Sequence, residues 1–212
     1  MTNESEHVHD KRGEAAWFVD GAYLGKVTGR WASDGKGLDY TKLRRLLEED
    51  YLTDSERISD AYYFSADPDP PSAGQSRFHK SLGYLPPGGP GLRVKLYWLQ
   101  SKDLRWPQKM GGAAVVHPDT REPFVQTQQK AVDVGLAFHM MRSFARRRWT
   151  KLFLAAGDGD FHEVVQHFVE DEGVDVYLIG RMDSMSTELL PYGTLVDLDA
   201  VVDRVSRSRD AT

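Results

Sequence analysis

Four aspartates occupy positions from which they could act together. Asp20 directly follows the apolar run AAWFV, and Asp158 and Asp160 follow LFLAAG within the sequence GDGD. Asp133 stands near the start of QKAVDVGLAFHMMRSFARRR, the longest helical pattern in the chain. Two unpaired carboxylates about 5 Å apart repel by roughly 3 kcal/mol at an effective dielectric near 20, so such a cluster needs protons, basic partners or a cation. Carboxylate oxygens suit Mg²⁺ or Mn²⁺, which can ionise a water and stabilise charge on a phosphoryl oxygen.

Each aspartate also has an ordinary structural explanation. Asp20 begins a VDG turn, and Asp133 lies in a first helical turn, where the helix dipole favours any acid. Asp160 precedes Glu163 by three residues, which is the spacing of a helix capping box. Asp158 has the weakest explanation of this kind, because the glycines of GDGD allow a tight turn that presents both acids. The four residues together indicate a metal site more strongly than any one of them alone.

The segments that carry these residues alternate between strand and helix patterns. Apolar runs predict strands at AAWFV, ISDAYYFSA, LRVKLYWLQ, TKLFLAAG and VDVYLIG. Helical spacing predicts helices at YTKLRRLLEEDY, SRFHKSLGYL, QKAVDVGLAFHMMRSFARRR and DFHEVVQHFVEDEG, and an extended piece and a final helix in LVDLDAVVDRV. This alternation is typical of an α/β fold with a mostly parallel, doubly wound sheet, in which ligands bind outside the carboxyl ends of the strands. Asp20, Asp158 and Asp160 are therefore predicted to share one edge of the sheet.

The chain is predicted to form one domain between two polar ends. Its 212 residues are enough for one full core. We expect a flexible tail over residues 1–14, the domain over 15–202 and a charged tail over 203–212. The stretch from Gly111 to Gln128 is typical of a hairpin insertion. Its residues do not decide between a segment that grips the substrate and an arm for a homo-oligomer.

Composition excludes several classes of protein. The chain contains no cysteine, which excludes a disulfide scaffold, a thiolate zinc site and a cysteine nucleophile. No apolar run approaches membrane-spanning length, so no membrane partner is expected. The polar start MTNESEHVHDKRGE carries no signal-peptide core, which predicts a cytoplasmic protein. Because the net charge is −5, binding of nucleic acid would require a local basic patch.

The richest basic stretch is RSFARRRWTK. One interpretation is a helix C-terminus at which the dipole favours cations. The other is a phosphate track with Trp149 as a stacking surface, formed by Arg142, Arg146, Arg147 and Arg148. A second candidate patch surrounds Phe78 and consists of Arg77, His79 and Lys80.

Several segments, in this order, resemble the NYN-type nucleases of the PIN-like superfamily. They are FVDGAYL from Phe18, KAVDVGLAFHM from Lys130, LFLAAGDGDFHEVV from Leu152, and VDVYLIG with the later STELL, so the resemblance covers nearly the whole chain. It implies a Rossmann-like sheet, an acidic site that binds Mg²⁺ or Mn²⁺, and RNA as the partner. The residues that match the family's acidic positions are Asp20, Asp133, Asp158 and Asp160. Ser186 matches a serine near the family's C-terminal end and, with Lys130 and the arginine track, is expected to contact the substrate.

Four positions depart from the family pattern. Tyr23 stands where many members have asparagine, and His139 where many have an acid. Ala156 replaces a common serine, and Gly193 stands where an aspartate is frequent. These changes bear on substrate contacts and rate, whereas the four central aspartates are kept.

Other interpretations fit less well. GDGD also occurs in haloacid-dehalogenase-type phosphatases, but they require an acid where this chain has Ala22. A dinucleotide-binding loop requires a glycine where His162 stands. We expect His139 to pack among apolar neighbours, and His162, beside Asp160, is a candidate for orienting a metal ligand.

Two functional hypotheses remain. The first is a metal-dependent endoribonuclease that hydrolyses RNA phosphodiester bonds with a metal-activated water. The alternative is a catalytically weak or silent module of the same fold that binds RNA or acts as a scaffold.

Overall fold

The centre of the fold is a six-stranded parallel sheet with helices on both faces. The computed structural model describes residues 13–68, 70–128 and 131–208. The elements follow one another as β1 (Glu14–Asp20), α1 (Gly21–Thr28), β2 (Lys36–Leu38), α2 (Tyr40–Tyr51), β3 (Arg57–Asp67), α3 (Ala73–Leu82), β4 (Arg93–Trp98), β5 (Gln100–Asp103), β6 (Val125–Gln128), α4 (Val132–Arg147), β7 (Lys151–Ala155), α5 (His162–Glu170), β8 (Asp175–Gly180), β9 (Thr194–Asp197), α6 (Val202–Val205) and β10 (Ser206–Ser208).

The main sheet has the strand order β4-β3-β1-β7-β8-β9, and every neighbouring pair is parallel. Counted along the chain, these strands lie in the order 3-2-1-4-5-6, which is that of the doubly wound Rossmann fold. The order reverses between β1 and β7. The predicted α/β class with a parallel, doubly wound sheet is therefore confirmed, and the edge at this reversal is where such folds bind ligands.

The side chains of β1 alternate between two cores. Trp17 and Val19 face a cluster with Leu24 of α1 and Leu43 of α2. Phe18 faces the opposite cluster, which includes Leu136, Met140, Val165 and Phe168 of α4 and α5. Because both faces of the sheet are covered, the central strands are apolar throughout, and this is why AAWFV and LFLAA read as uninterrupted apolar runs.

The predicted hairpin is part of a longer antiparallel arm. Its first strand, β5, pairs with β6, and the arm therefore begins at Gln100 instead of Gly111. Beyond β5, Leu104 donates a backbone hydrogen bond to Phe124 and accepts one from Val115. The stretch KDLRW gave no strand signal because its apolar residues are few and their spacing is irregular.

Of the expected tail over residues 203–212, the structure describes residues 203–208, and these lie in regular secondary structure. Residues 202–205 form α6, and β10 pairs antiparallel with β2. Residues 203–208 thus belong to the folded domain. Backbone hydrogen bonds hold this strand, and the polar sequence Ser206–Ser208 gave no side-chain signal for it. Within the part of the chain that the structure describes, no helix is long and apolar enough to cross a membrane.

Candidate functional site

The sheet places Asp20 and the GDGD loop at the same carboxyl edge. Val19 is in register with Ala155, so β1 and β7 end side by side. Asp20 is the last residue of β1, and Asp158 follows β7 by three residues. Asp133 lies in the first turn of α4, which packs against β1 and β3. The predicted placement of Asp20 and Asp158 on one edge, at the point where strand order reverses, is therefore what the structure has.

Asp20 is held rigidly and is almost completely buried. Its Oδ1 accepts hydrogen bonds from the backbone N–H groups of Ala22 (2.9 Å) and Tyr23 (3.2 Å), so it caps α1. Burial raises the pKa of Asp20, the two backbone hydrogen bonds oppose this rise, and the negative charges of Asp133 and Asp158 add to it. Its carboxylate therefore lies in an acidic environment that favours a proton or a cation.

Repulsion between negative charges also affects the other three aspartates. Asp133 is accessible to solvent, yet the partial burial of its carboxyl raises its pKa, and the charges of Asp158 and Asp160 raise it further. Asp158 and Asp160 are exposed. Within the described residues, no basic side chain lies within 4.0 Å of any of these four carboxylates. The cluster therefore carries negative charge without a cationic partner in this part of the chain.

Two hydrogen bonds hold the backbone of the GDGD loop. Asp158 Oδ1 accepts a hydrogen bond from the Asp160 N–H at 3.1 Å. The N–H of Ser186 donates to Gly157 O at 2.9 Å. The N-terminus of α5 is capped at Phe161 without a side-chain hydrogen bond, so the expected capping box of Asp160 and Glu163 does not form. Asp160 is thus not used as a helix cap.

Sequence reasoning did not single out Glu188. A Cβ atom at Gly159 would lie 2.5 Å from Glu188 Oε2 and 3.0 Å from Ser186 Oγ, so both side chains cover the GDGD loop. Glu188 brings a fifth carboxylate to this edge. Its only signal was its position two residues after Ser186, within the segment STELL.

Tyr23, which replaces the family's asparagine, serves as a packing residue. Its ring lies where a side chain at Gly157 or Gly180 would be. Its hydroxyl shares a hydrogen bond with Ser184 Oγ at 3.1 Å. Tyr23 therefore joins α1 to the ends of β7 and β8, and both glycines are required for it to fit.

The donor set suits a hard divalent cation, although the side chains are not arranged around one. Asp20, Asp133, Asp158 and Asp160 offer carboxylate oxygens alone, as Mg²⁺ and Mn²⁺ prefer. Among the residues that the structure describes, no group of three or more histidine, aspartate or glutamate side chains is positioned to hold a metal ion. A cation site is therefore indicated by the chemistry of the donor atoms and by the negative charge that no described basic side chain neutralises.

The arginine track lies at the far end of α4 from the aspartates. Arg142 is nine positions after Asp133, which is about 14 Å along a helix. Arg147 lies 3.7 Å from Glu14, and Arg148 lies 3.0 Å from Glu172. Trp149 is fully buried, and its ring packs against Phe144 and Phe168. The interpretation of Trp149 as a stacking surface is therefore wrong.

The other candidate residues occupy separate places. His79 Nδ1 lies 3.4 Å from Asp67 Oδ2 in a largely buried pair, so His79 does not extend a basic surface with Arg77 and Lys80. His139 packs against the rings of Tyr62 and Phe64, as expected. The ring of His162 contacts Tyr192. Lys130 lies outside the described residues.

A parallel sheet in this order with acidic residues at its reversal point defines a Rossmann-like domain of the PIN-like type. The chain belongs to the NYN domain family, whose model matches residues 14–194, and the predicted membership is confirmed. This is a nuclease-type domain of the PIN-like superfamily.

A search of the solved structures supports the fold. The chain is similar to the crystal structure of a protein of unknown function from Vibrio parahaemolyticus, with a TM-score of 0.56 over 98% of this chain and 100% of that chain. The two sequences are 16% identical, so this similarity bears on the fold alone. Comparison with curated proteins gives no match.

Proposed function

We propose that the protein is a metal-dependent endoribonuclease that hydrolyses RNA phosphodiester bonds. Asp20, Asp133, Asp158 and Asp160 would hold Mg²⁺ or Mn²⁺. The observation that supports this most strongly is the placement of Asp20 and Asp158 on adjacent strand ends at the reversal point of the sheet, where the charges of neighbouring aspartates add to the effect of burial in raising the pKa of Asp20 and Asp133. Family membership supports a nuclease-type function. The expected site of action is the cytoplasm.

The four aspartates differ in how firmly they are held. The cap on α1 fixes Asp20, and the N–H of Asp160 fixes Asp158. Asp133 and Asp160 are exposed to solvent at the same edge. When bound, Mg²⁺ or Mn²⁺ would supply an ionised water and neutralise charge on the phosphoryl oxygens.

The remaining predicted residues would position RNA around this edge. Ser186 lies over Gly159, where its hydroxyl is available to a phosphate oxygen. Lys130 precedes α4 and is proposed to contact the scissile region. Arg142, Arg146, Arg147 and Arg148 would contact phosphates farther along the strand. His162, at the start of α5, is proposed to orient Asp160.

The test is cleavage of end-labelled single-stranded RNA by the full chain. We expect products with Mn²⁺ or Mg²⁺, none with chelator, and none from Asp158→Asn with metal. Asp171→Asn is the matched control, because it removes one carboxylate from an exposed ion pair with His167 away from the cluster. Cleavage that persists in chelator, or in Asp158→Asn, would overturn the proposal.

A second candidate is a catalytically silent module that binds RNA or acts as a scaffold. The observation that favours it is Tyr23, whose ring occupies space beside Gly157 where the family's asparagine would offer an amide. This alternative predicts RNA binding without cleavage under every metal condition. Measuring binding and cleavage on the same RNA therefore separates the two functions.

A further inference from the structure

A cavity of about 270 Å³ lies between α4 and the edge of the sheet formed by β3 and β4. Its position is near the C-terminus of α4, away from the aspartates. Five cationic side chains and one carboxylate contribute to its walls, namely Arg93, Lys95, Arg142, Arg146, Arg147 and Asp60. The excess of positive charge distinguishes this cavity within an acidic protein.

The regular spacing of two elements brings these cations together. Arg93 and Lys95 alternate along β4 and so project from the same face of the strand. His139, Arg142 and Arg146 are three and four residues apart on α4, so they share one face of the helix. The strand and the helix thus turn their basic faces toward each other across the cavity.

One wall of the cavity is rigid. Arg93 donates hydrogen bonds to Asp60 Oδ1 at 2.8 Å and to the Tyr62 hydroxyl at 2.6 Å, and its guanidinium lies 4.9 Å from the centre of the Tyr62 ring. The buried Asp60 also accepts a 2.6 Å hydrogen bond from Ser143, which in turn accepts one from Trp149. These contacts fix the Arg93 guanidinium before any ligand arrives.

Three of the other four cations, Lys95, Arg142 and Arg146, lack acidic partners in the described part of the chain, whereas Arg147 lies 3.7 Å from Glu14. No described carboxylate lies within 4.0 Å of Lys95, Arg142 or Arg146. Burial lowers the pKa of His139, and the charges of Lys95 and Arg142 lower it further. The cations of β4 and of α4 therefore face one another across the cavity and repel, and a bound anion would offset this repulsion.

The size and charge of the cavity select the kind of anion. Its volume of about 270 Å³ is close to the lower end of the roughly 300–1,000 Å³ of drug-sized ligand sites and is ample for a phosphoryl group. A terminal phosphate monoester carries about −1.5 to −2 charge at neutral pH and has three free oxygens. An internal phosphodiester carries a single negative charge. A monoester therefore neutralises more of the positive charge of the three unpaired cations.

We propose that this cavity binds the terminal phosphate monoester of an RNA strand. Arg142 and Arg146 lie about 14 and 20 Å from Asp133 along α4, so a bound terminus would direct the aspartates to a bond a few nucleotides away. The cleavage position rests on the proposed nuclease function, whereas binding of the terminus does not. The inference adds Arg93 and Lys95 to the arginine track and leaves out Arg148, which does not line the cavity.

The test measures binding in chelator, where no cleavage takes place. Fluorescence anisotropy gives the Kd of the full chain for three RNAs of one sequence with a 5′-phosphate, a 3′-phosphate or two hydroxyl ends. We expect one phosphorylated end to improve affinity about tenfold, and inorganic phosphate to compete for that gain. Lys95→Gln/Arg142→Gln should lose the preference. Arg45→Gln/Arg207→Gln removes the same charge from exposed positions outside the cavity and should keep it.

Each outcome has a definite meaning. Equal affinity for all three RNAs overturns the proposal, as does a preference that survives Lys95→Gln/Arg142→Gln. If the double variant does not fold, Lys95→Gln alone, on the edge strand, provides the same comparison. A protein that keeps the preference in chelator but cleaves no RNA with Mn²⁺ retains the phosphate site and refutes the nuclease function.

Discussion

Asp20, at the end of β1, and Asp158, after the adjacent strand β7, carry carboxylates that interact: burial raises the pKa of Asp20, and the negative charges of Asp133 and Asp158 raise it further. Asp20 is therefore both a helix cap and a charged group in an unfavourable place. Substitution by asparagine distinguishes these two roles, because an asparagine side chain can still cap the helix but carries no charge.

We expect Asp20→Asn to be more stable than the metal-free wild type at neutral pH. The folded-state pKa of Asp20 is raised, so the ionised carboxylate destabilises the fold at neutral pH, and this penalty disappears as pH falls through that pKa. The advantage of Asp20→Asn should therefore shrink on acidification. Asp20→Ala also loses the cap and should be about 1 kcal/mol less stable than Asp20→Asn. Urea unfolding of the three proteins from pH 4 to pH 7 measures both effects, and an advantage that grows on acidification would contradict the assignment.

A related expectation concerns Asp158, whose Oδ1 accepts the Asp160 N–H. Asp158→Asn should keep this hydrogen bond and the fold but weaken Mn²⁺ binding and abolish detectable cleavage, because one of the proposed carboxylate ligands is lost. Calorimetric titration with Mn²⁺, beside Asp171→Asn as control, tests the metal. A large loss of thermal stability in metal-free Asp158→Asn would instead assign this residue a structural role.

Two glycines offer a comparison of close packing with open space. A Cβ atom at Gly157 would lie 2.6 Å from Ser184 O and would overlap the Tyr23 ring, whereas Gly25 has no heavy atom within 4 Å of that position. Gly157→Ala should therefore cost about 1–3 kcal/mol from overpacking. Gly25→Ala, inside α1, should stabilise by about 0.5–1 kcal/mol. Thermal or urea unfolding of both variants is the measurement, and a neutral Gly157→Ala would show that the contact with Tyr23 is loose.

The sequence predicted the central strands best, because a strand that is buried on both faces consists almost entirely of apolar residues. Phe18 and Leu154 stand in apolar runs that predict central strands, and the position of Asp20 after such a run predicts the edge that it occupies. The strand order could not be predicted in this way, because it depends on which strands pair. Glu188 approaches Gly159 through a loop, and no local periodicity predicts such a contact.

Trp149 shows why a charged neighbourhood can mislead. Its neighbours Arg146, Arg147 and Arg148 predict an exposed helix end. At Arg148 the backbone adopts a left-handed conformation with φ of 50°, which ends α4 and directs Trp149 into the core. The sequence of the basic run gave no sign of this turn, because the left-handed residue is an arginine instead of a glycine.

The last prediction distinguishes the arginines of the proposed track by their partners. Arg142 and Arg146 have no described acidic partner, whereas Arg147 and Arg148 lie 3.7 Å from Glu14 and 3.0 Å from Glu172. The first two are therefore free to neutralise phosphates, and each neutralised phosphate of a single strand contributes about 0.7 to the slope of log K against log salt. Arg142→Ala/Arg146→Ala should lower the slope by about 1.4, while Arg147→Ala/Arg148→Ala should lower it less.

Salt titrations of RNA binding in chelator, with wild type and both double variants, provide the measurement. Because contacts to phosphate carry little sequence information, the loss of affinity in Arg142→Ala/Arg146→Ala should be similar for RNAs of different sequence. Mn²⁺ binding at the aspartates should be unchanged, since the two surfaces lie at opposite ends of α4. Equal slopes for all three proteins would show that these arginines form only a solvated helix end, and would leave Arg77 and Lys80 as the candidates for a phosphate-binding surface.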